Sequence, residues 1–172
     1  MKGFVVFLIC IFCFATVGFS ADRYLITPLV DTAVILKKIQ ADYSTINNRL
    51  RFYKKKVKNA SSMSAEGGEV IGYYDKQTLK KIHCIFYGEM GKTEEDYYIN
   101  ANGLYFLFRK ETFYDKPMYL KDSKVKNTFE TRYYLYDHKL IKAIVRPNAS
   151  IALSNNEIVG RHKEVLDMLN TK

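Results

Sequence analysis

One stretch, residues 97–104, decides how this chain folds: Tyr97-Tyr98-Ile99-Asn100-Ala101-Asn102-Gly103-Leu104. Tyrosine and isoleucine favour an extended backbone, whereas asparagine and glycine are the residues that tight turns prefer. The leucine then opens a second apolar run. The stretch therefore predicts a β-hairpin.

The same plan occurs twice more in the chain. Residues 73–79 and 133–140 also place a tyrosine pair before a turn with aspartate and a leucine after it. Three successive hairpins predict a six-stranded antiparallel meander. The strands are expected near residues 69–75, 79–87, 93–100, 104–113, 128–137 and 140–145. A longer polar connection, residues 114–127, separates the second hairpin from the third.

A helix is predicted on either side of the meander in the sequence. Apolar residues recur every three or four positions before it, which places them on one stripe of a long N-terminal helix: Ile35, Ile39, Tyr43, Ile46, Leu50, Tyr53 and Val57. Ser154 and Glu157 match a capping box, and one apolar helical face follows them. The predicted fold class is α+β, with the long N-terminal helix packed on the meander and a short C-terminal helix.

The N-terminus indicates export. Lys2 precedes an apolar run from Phe4 to Phe19, and Gly18 and Ser20 provide small residues for cleavage. We expect residues 1–20 to be a signal peptide and residues 21–172 to form a single periplasmic or secreted domain without a transmembrane span. The alternative is an uncleaved anchor, because the run approaches the roughly 18 apolar residues that can cross a bilayer.

The cysteines and the charge restrict the partners. Cleavage removes Cys10 and Cys13 and leaves Cys84, so no internal disulfide is expected, which favours a bacterial envelope or secreted protein. The formal net charge of +9 favours anionic partners. Export argues against nucleic acid and in favour of an anionic envelope component, such as lipid headgroups or a cell-wall polymer.

No motif for catalysis or metal binding stands out. Residues 88–93, Gly-Glu-Met-Gly-Lys-Thr, lack the first glycine of a phosphate-binding loop and join two predicted strands. The three histidines are far apart, and a Gly-x-Ser-x-Gly nucleophile turn is absent. We expect no metal, no cofactor and no enzymatic activity. A small hydrolase remains the alternative, because catalytic triads assemble in space.

A row of tyrosines is the first candidate binding surface. Neighbours along a strand point to opposite faces, and the more apolar row is assigned to the core: Ile71, Tyr73, Tyr97, Ile99, Phe129, Tyr133 and Leu135. The opposite face would then expose Tyr74, Tyr98, Tyr134 and Tyr136 beside Arg132. Such a face suits a protein, peptide or glycan ligand. The alternative is that these rings only pair across strands or lie beneath the terminal helix.

A basic cluster is the second candidate surface. It is expected on the last turns of the N-terminal helix and contains Arg49, Arg51, Lys54, Lys55, Lys56 and Lys58. Cations at a helix C-terminus interact favourably with the helix dipole. They also create a local positive field that attracts an anionic partner.

Several segments of the predicted hairpins are rich in tyrosine, glycine and lysine: Tyr73-Tyr74-Asp75, Leu79-Lys80-Lys81-Ile82, Tyr87-Gly88-Glu89-Met90-Gly91-Lys92 and Tyr97-Tyr98. Over about residues 66–114 the sequence resembles a group of exported bacterial proteins with no known activity. It is also similar to the tyrosine-rich hairpins of MORN-type repeats, although their regular Tyr-x-Gly-x-Gly pattern is absent. The resemblance implies a meander of hairpins and no activity.

These patterns together predict a non-enzymatic periplasmic or secreted binding module that uses the tyrosine face. The alternatives are a small envelope hydrolase and a module that associates with anionic lipid or a cell-wall polymer.

Overall fold

The computed structural model describes residues 31–147 and 152–171, so the predicted signal peptide lies outside the described residues. Within the described ranges the chain forms two α-helices, a short 3-10 turn and seven strands. In order they are α1 (Thr32–Arg49), the 3-10 turn (Leu50–Phe52), β1 (Lys54–Asn59), β2 (Gly68–Asp75), β3 (Thr78–Gly88), β4 (Gly91–Asn100), β5 (Gly103–Tyr114), β6 (Val125–Tyr136), β7 (Lys139–Arg146) and α2 (Asn155–Asn170). The predicted α+β class is confirmed.

The N-terminal helix is shorter than predicted. Its apolar stripe is correct as far as Ile46, but α1 ends at Arg49 and the chain turns into β1. Val57, the last residue of the predicted stripe, is exposed on β1. The prediction of six strands is therefore wrong, because the segment assigned to the end of the helix is a seventh strand.

Backbone pairing accounts for this difference. Lys54–Asn59 pairs antiparallel with β2 along its whole length, so that β1 satisfies backbone groups of β2 that would otherwise form the sheet edge. Lysine-rich strands are common at sheet edges, because their charges discourage pairing with other chains. The tertiary hydrogen bonds of the strand override the local helical pattern.

The sheet is an antiparallel meander in which each strand pairs with its neighbour in sequence, from β1 to β7. The three hairpins centred on the tyrosine pairs are confirmed as β2–β3, β4–β5 and β6–β7. Each of them carries a register shift next to its turn, at Tyr73/Tyr74, Tyr98/Ile99 and Tyr134/Leu135. The local twist of such bulges re-aims the side chains that follow them.

Each face of the sheet is covered by one helix. On one face α2 contributes Ile158, Val165 and Leu169 to a core with Tyr97 and Tyr133. On the other face α1 contributes Ile39 and Ile46 to a core with Tyr98, Phe106 and Tyr134. Both rows of strand side chains are consequently buried over much of the sheet.

The predicted core row is partly wrong, because it mixes the two faces. Tyr73 pairs with Lys81, which pairs with Tyr98, so Tyr73 lies on the α1 side. Tyr97 pairs with Ile82 and lies on the α2 side. Alternation orders the side chains within one strand, whereas the register between strands decides which rows meet.

Helix α2 is held at both of its ends. Ser154 and Glu157 form the predicted capping box. The Asn155 side chain accepts a hydrogen bond from the backbone of Leu140 on β7. At the other end, Lys56 of β1 donates to the carbonyl oxygen of Leu169. The helix therefore crosses the sheet from one edge strand to the other, and Lys56 places a cation at its C-terminus, where the dipole favours one.

We predict that Leu169→Ala lowers the free energy of unfolding by about 2–5 kcal/mol, because Leu169 is fully buried between α2 and the sheet. Urea titration measures this change. Val159→Ala on the same helix is the matched control, since Val159 is exposed, and its effect should stay within about 0.5 kcal/mol. Equal effects of the two substitutions would contradict the packing of α2 described above.

Candidate functional site

The tyrosines predicted to share one open face do not do so. Tyr98 and Tyr134 lie beneath α1 and are only 0% and 6% exposed. Tyr74 is half-buried on the α2 side, with its ring close to Gly72. Tyr136 alone among the four is exposed, at 46%. The predicted exposure is therefore wrong for Tyr98 and Tyr134, because the apolar stripe of α1 needs this face for its own burial.

Tyr98 is part of the contact between α1 and the sheet. Its hydroxyl donates a 3.0 Å hydrogen bond to Oδ1 of Asn47 on α1. The Tyr43 ring, also on α1, lies 5.0 Å from the Tyr98 ring between centroids. Burial raises the pKa of Tyr98 above its usual range, so the hydroxyl stays protonated as a donor.

Arg132 lies on the same side of the sheet. Its guanidinium is 5.2 Å from the centroid of the Phe108 ring, and it donates a 3.2 Å hydrogen bond to Glu130. These contacts leave it partly exposed beside α1. Its proposed role in ligand binding stays a prediction.

A buried carboxylate lies under α2. Oε1 of Glu95 is 2.8 Å from Nη2 of Arg161 and 3.4 Å from Nε of Arg109. The Tyr97 hydroxyl donates a 2.6 Å hydrogen bond to the other carboxylate oxygen. A buried carboxylate is destabilising unless it is paired and hydrogen-bonded. Since Glu95 is fully buried, this cluster attaches α2 to the sheet and offers no site to a ligand.

A second charge cluster lies on the α1 side of the sheet. Asp96 contacts Nδ1 of His83 at 2.8 Å and Nζ of Lys81 at 3.0 Å. Burial alone would raise the pKa of Asp96, but the hydrogen bond with His83 and the charge of Lys81 outweigh it and hold that pKa below its ordinary value of 3.8. A paired histidine and aspartate also occur in hydrolase triads. Among the hydrogen bonds of the described residues, however, no hydroxyl or thiol contacts His83, so the hydrolase alternative gains no support from this pair.

Cys84 is a small, fully buried residue. It is a free thiol in the core on the α2 side, and burial raises its pKa well above the usual range. A thiol in this state is unreactive, because the thiolate is the nucleophile.

The six cations of the predicted basic cluster lie on elements that differ from those expected. They extend from the last residue of α1 through the 3-10 turn into β1. We call the six residues the basic surface: Arg49, Arg51, Lys54, Lys55, Lys56 and Lys58. The prediction that they occupy one helix end is wrong, because β1 is a strand on which successive side chains alternate between faces.

The members of the basic surface differ in their partners. Arg49 lies 3.9 Å from the carboxylate of Asp75, and Lys56 donates to α2 as described above. Lys58 is half-buried, whereas Arg51, Lys54 and Lys55 are exposed. Among the residues that the structure describes, Arg51, Lys54 and Lys55 have no carboxylate within ion-pairing distance.

Two neighbours of the basic surface were missed by the sequence analysis. Phe52 is 67% exposed, and the Arg51 guanidinium lies 4.6 Å from the centroid of its ring. Lys76, in the β2–β3 turn, lines a shallow hollow of about 430 Å³ together with Lys54, Lys55 and Tyr74. The sequence contains a signal for the exposure of Phe52, because this residue lies within a run of cations and does not fall on the apolar stripe of the predicted helix.

No cluster of three or more His, Cys, Asp or Glu side chains in the described ranges is arranged to hold a metal ion. Nor is there in those ranges a helix with the length and apolar character needed to cross a membrane. No protein-family model, curated protein or solved structure matches the chain. Its function is therefore inferred from its own residues.

We predict that His162 makes the protein less stable as the pH falls from 6.5 towards 4. His162 stacks on Tyr97 at 5.6 Å between ring centroids, and burial lowers its pKa from 6.5 to about 4. Below pH 6.5 the unfolded chain therefore takes up a proton that the folded chain does not, which reduces stability. Urea unfolding at pH 7 and pH 5 measures the loss.

The loss should shrink in His162→Phe, which keeps an aromatic ring over Tyr97 and removes the titrating group. His138→Phe is the control, because His138 is exposed in the β6–β7 turn, and it should retain the full loss. An unchanged pH dependence in His162→Phe would show that His162 is not responsible.

Proposed function

We propose that this chain is a non-enzymatic module of the bacterial envelope, periplasmic or secreted, that binds anionic membrane surfaces through the basic surface. The observation that carries the proposal is the exposed Phe52 beside Arg51, Lys54 and Lys55, which have no carboxylate within ion-pairing distance among the described residues. Its location rests on the export signal expected in residues 1–20.

The electrostatic part of the proposal comes from the density of charge. Residues 49–58 contain six cations and no acidic residue. Each lysine or arginine close to an anionic leaflet contributes about 1 kcal/mol of binding energy at low salt. Since Arg51, Lys54 and Lys55 are exposed, they can approach headgroups without unfolding any element.

The apolar part comes from Phe52. A phenylalanine that is two-thirds exposed contributes little to folding, but its ring can enter the boundary between headgroups and acyl chains. Val57 on β1 is a further exposed apolar residue of this segment. An exposed ring beside cations favours a lipid surface over a soluble polyanion, which offers no apolar layer to receive it.

The opposite edge of the sheet provides a comparison. Strand β7 is also an edge, and it carries three exposed cations, Lys139, Lys142 and Arg146. Such a number is enough to discourage edge-to-edge pairing. Strand β1 carries the same number of exposed cations, Lys54, Lys55 and Lys56. The basic surface adds the exposed Arg49 and Arg51 and the exposed ring of Phe52 outside the strand, so edge protection alone does not account for its composition.

The test is co-sedimentation of the purified protein with phosphatidylcholine vesicles, with and without phosphatidylglycerol. Binding is expected only with the anionic lipid and should disappear towards about 0.5 M salt, where charges are screened. Replacing Arg51, Lys54 and Lys55 by glutamine should weaken binding about 100-fold at low salt, from about 1 kcal/mol for each cation.

The matched control replaces Lys139, Lys142 and Arg146 of β7 by glutamine. It removes the same net charge from the other edge and should leave most of the binding intact. Equal losses in the two triple variants would show that only net charge matters and would refute the basic surface as the site.

Phe52→Ser distinguishes a membrane from a soluble polymer. This substitution should weaken vesicle binding relative to the unmodified chain without changing the net charge, because the aromatic ring is no longer present to insert. Unchanged vesicle binding of Phe52→Ser would contradict the proposal that the Phe52 ring inserts into the membrane.

A further inference from the structure

A second candidate binding site lies beside the first half of α1, away from the basic surface. A cleft of about 630 Å³ separates the first half of α1 from the β4–β5 and β6–β7 turns. Its walls are apolar where Ile35 and Leu104 line it and polar where Asn102 and Asp137 line it. A pocket with apolar walls and a few polar groups is the usual form of a small-molecule site.

An unsatisfied hydroxyl identifies this cleft among the hollows of the surface. Tyr105 lines the cleft and is 6% exposed, and among the described residues its hydroxyl oxygen has no hydrogen-bond partner. It also lines an adjoining hollow of about 230 Å³, which shares Asp42 and Asn100 with the cleft. Buried hydroxyls are rarely left unpaired, because the loss of hydration is uncompensated. A bound molecule that hydrogen-bonds Tyr105 would supply the missing partner.

The two turns at the mouth of the cleft are built to bring side chains together. Asp137 and His138 both adopt left-handed backbone conformations, with φ of 47° and 60°. Glycine is common at such hairpin positions, so the chain here carries functional groups at a conformational cost. Gly103, at φ 99°, has no Cβ, and a Cβ there would lie 3.1 Å from Cε1 of His138. The imidazole therefore packs against the β4–β5 turn.

The polar groups of the cleft suit hydroxyls better than a charged ligand. The carboxylate of Asp42 is already paired with Lys38 at 2.7 Å. Oδ1 of Asn100 already accepts a hydrogen bond from the backbone of Asn102, which leaves the Asn100 amide nitrogen to donate. With Asp137 as an acceptor, these groups match the alternating donors and acceptors of a polyol. Within the described ranges Asp137 has no cation at ion-pairing distance, so its negative charge disfavours an anion.

An aromatic ring completes the match. Tyr136 lines the cleft and is half-exposed. Tyrosine presents an apolar ring face that can pack against the CH groups of a sugar, while its hydroxyl remains in water.

We propose that this cleft binds an uncharged carbohydrate, with Tyr105 donating to a sugar hydroxyl and Tyr136 packing against the sugar ring. The site is separate from the basic surface and does not depend on membrane binding.

The test uses the purified protein labelled with ¹⁵N and four neutral disaccharides, cellobiose, maltose, lactose and N,N′-diacetylchitobiose, titrated by NMR. At least one of them should shift the amide signals of Asn102, Gly103 and His138. Tyr105→Phe should weaken that binding about fivefold, because one hydrogen bond is lost. Tyr136→Ala, at an exposed position, should also weaken it without unfolding the chain.

Two controls keep the result interpretable. Tyr119→Phe removes a hydroxyl from an exposed tyrosine in the β5–β6 connection and should not change the affinity. In the absence of sugar, Tyr105→Phe should unfold at the same temperature as the unmodified chain or a higher one, because it removes an unsatisfied buried group. A clear decrease would show that the hydroxyl has a partner within the protein and would overturn the proposal.

Glucuronic acid and glucosamine serve as charged probes of the same cleft. Binding of either one without any neutral disaccharide would refute the uncharged ligand class. Failure of all the neutral disaccharides to shift the named amides would refute the site.

Discussion

Strand β4 requires that both faces of the sheet be covered. Glu95, Asp96, Tyr97 and Tyr98 follow one another, so they alternate between the two faces of the sheet, and all four are largely or fully buried. Each face must therefore be covered, and each carboxylate must meet cations there. Helix α2 supplies Arg161 on one side, and on the other side α1 covers Tyr98 and the strands supply Lys81 and His83.

This double coverage restricts where a ligand can bind. The central faces of the sheet are used for folding, and α2 further joins the two edges through Leu140 and Lys56. The surfaces that remain accessible include the edge strands and the flanks of the helices. The basic surface occupies an edge, and the cleft at Tyr105 occupies a flank. Both proposals therefore follow from what the helices leave uncovered.

Sequence reasoning found the part of the candidate sites that is contiguous in the chain. The six cations of residues 49–58 are neighbours in sequence, so they remain near one another whether the segment is a helix or a strand. Lys76 and the residues of the cleft come together only through the pairing of strands and the position of α1. The prediction of an exposed tyrosine face was wrong for the same reason. Whether Tyr98 is exposed depends on Asn47 and Tyr43, which are distant from it in the sequence.

The hairpins, the capping box of α2 and the apolar stripe of α1 as far as Ile46 follow from the sequence alone. These features depend on residues a few positions apart, where turn preferences, alternation and helical periodicity act directly. Contacts between distant segments make Lys54–Asn59 a strand, and they place Tyr73 on the face of Tyr98 rather than on that of Tyr97. Both outcomes depend on hydrogen bonds between strands. Such bonds set the register across the sheet and override the local preference of any one segment.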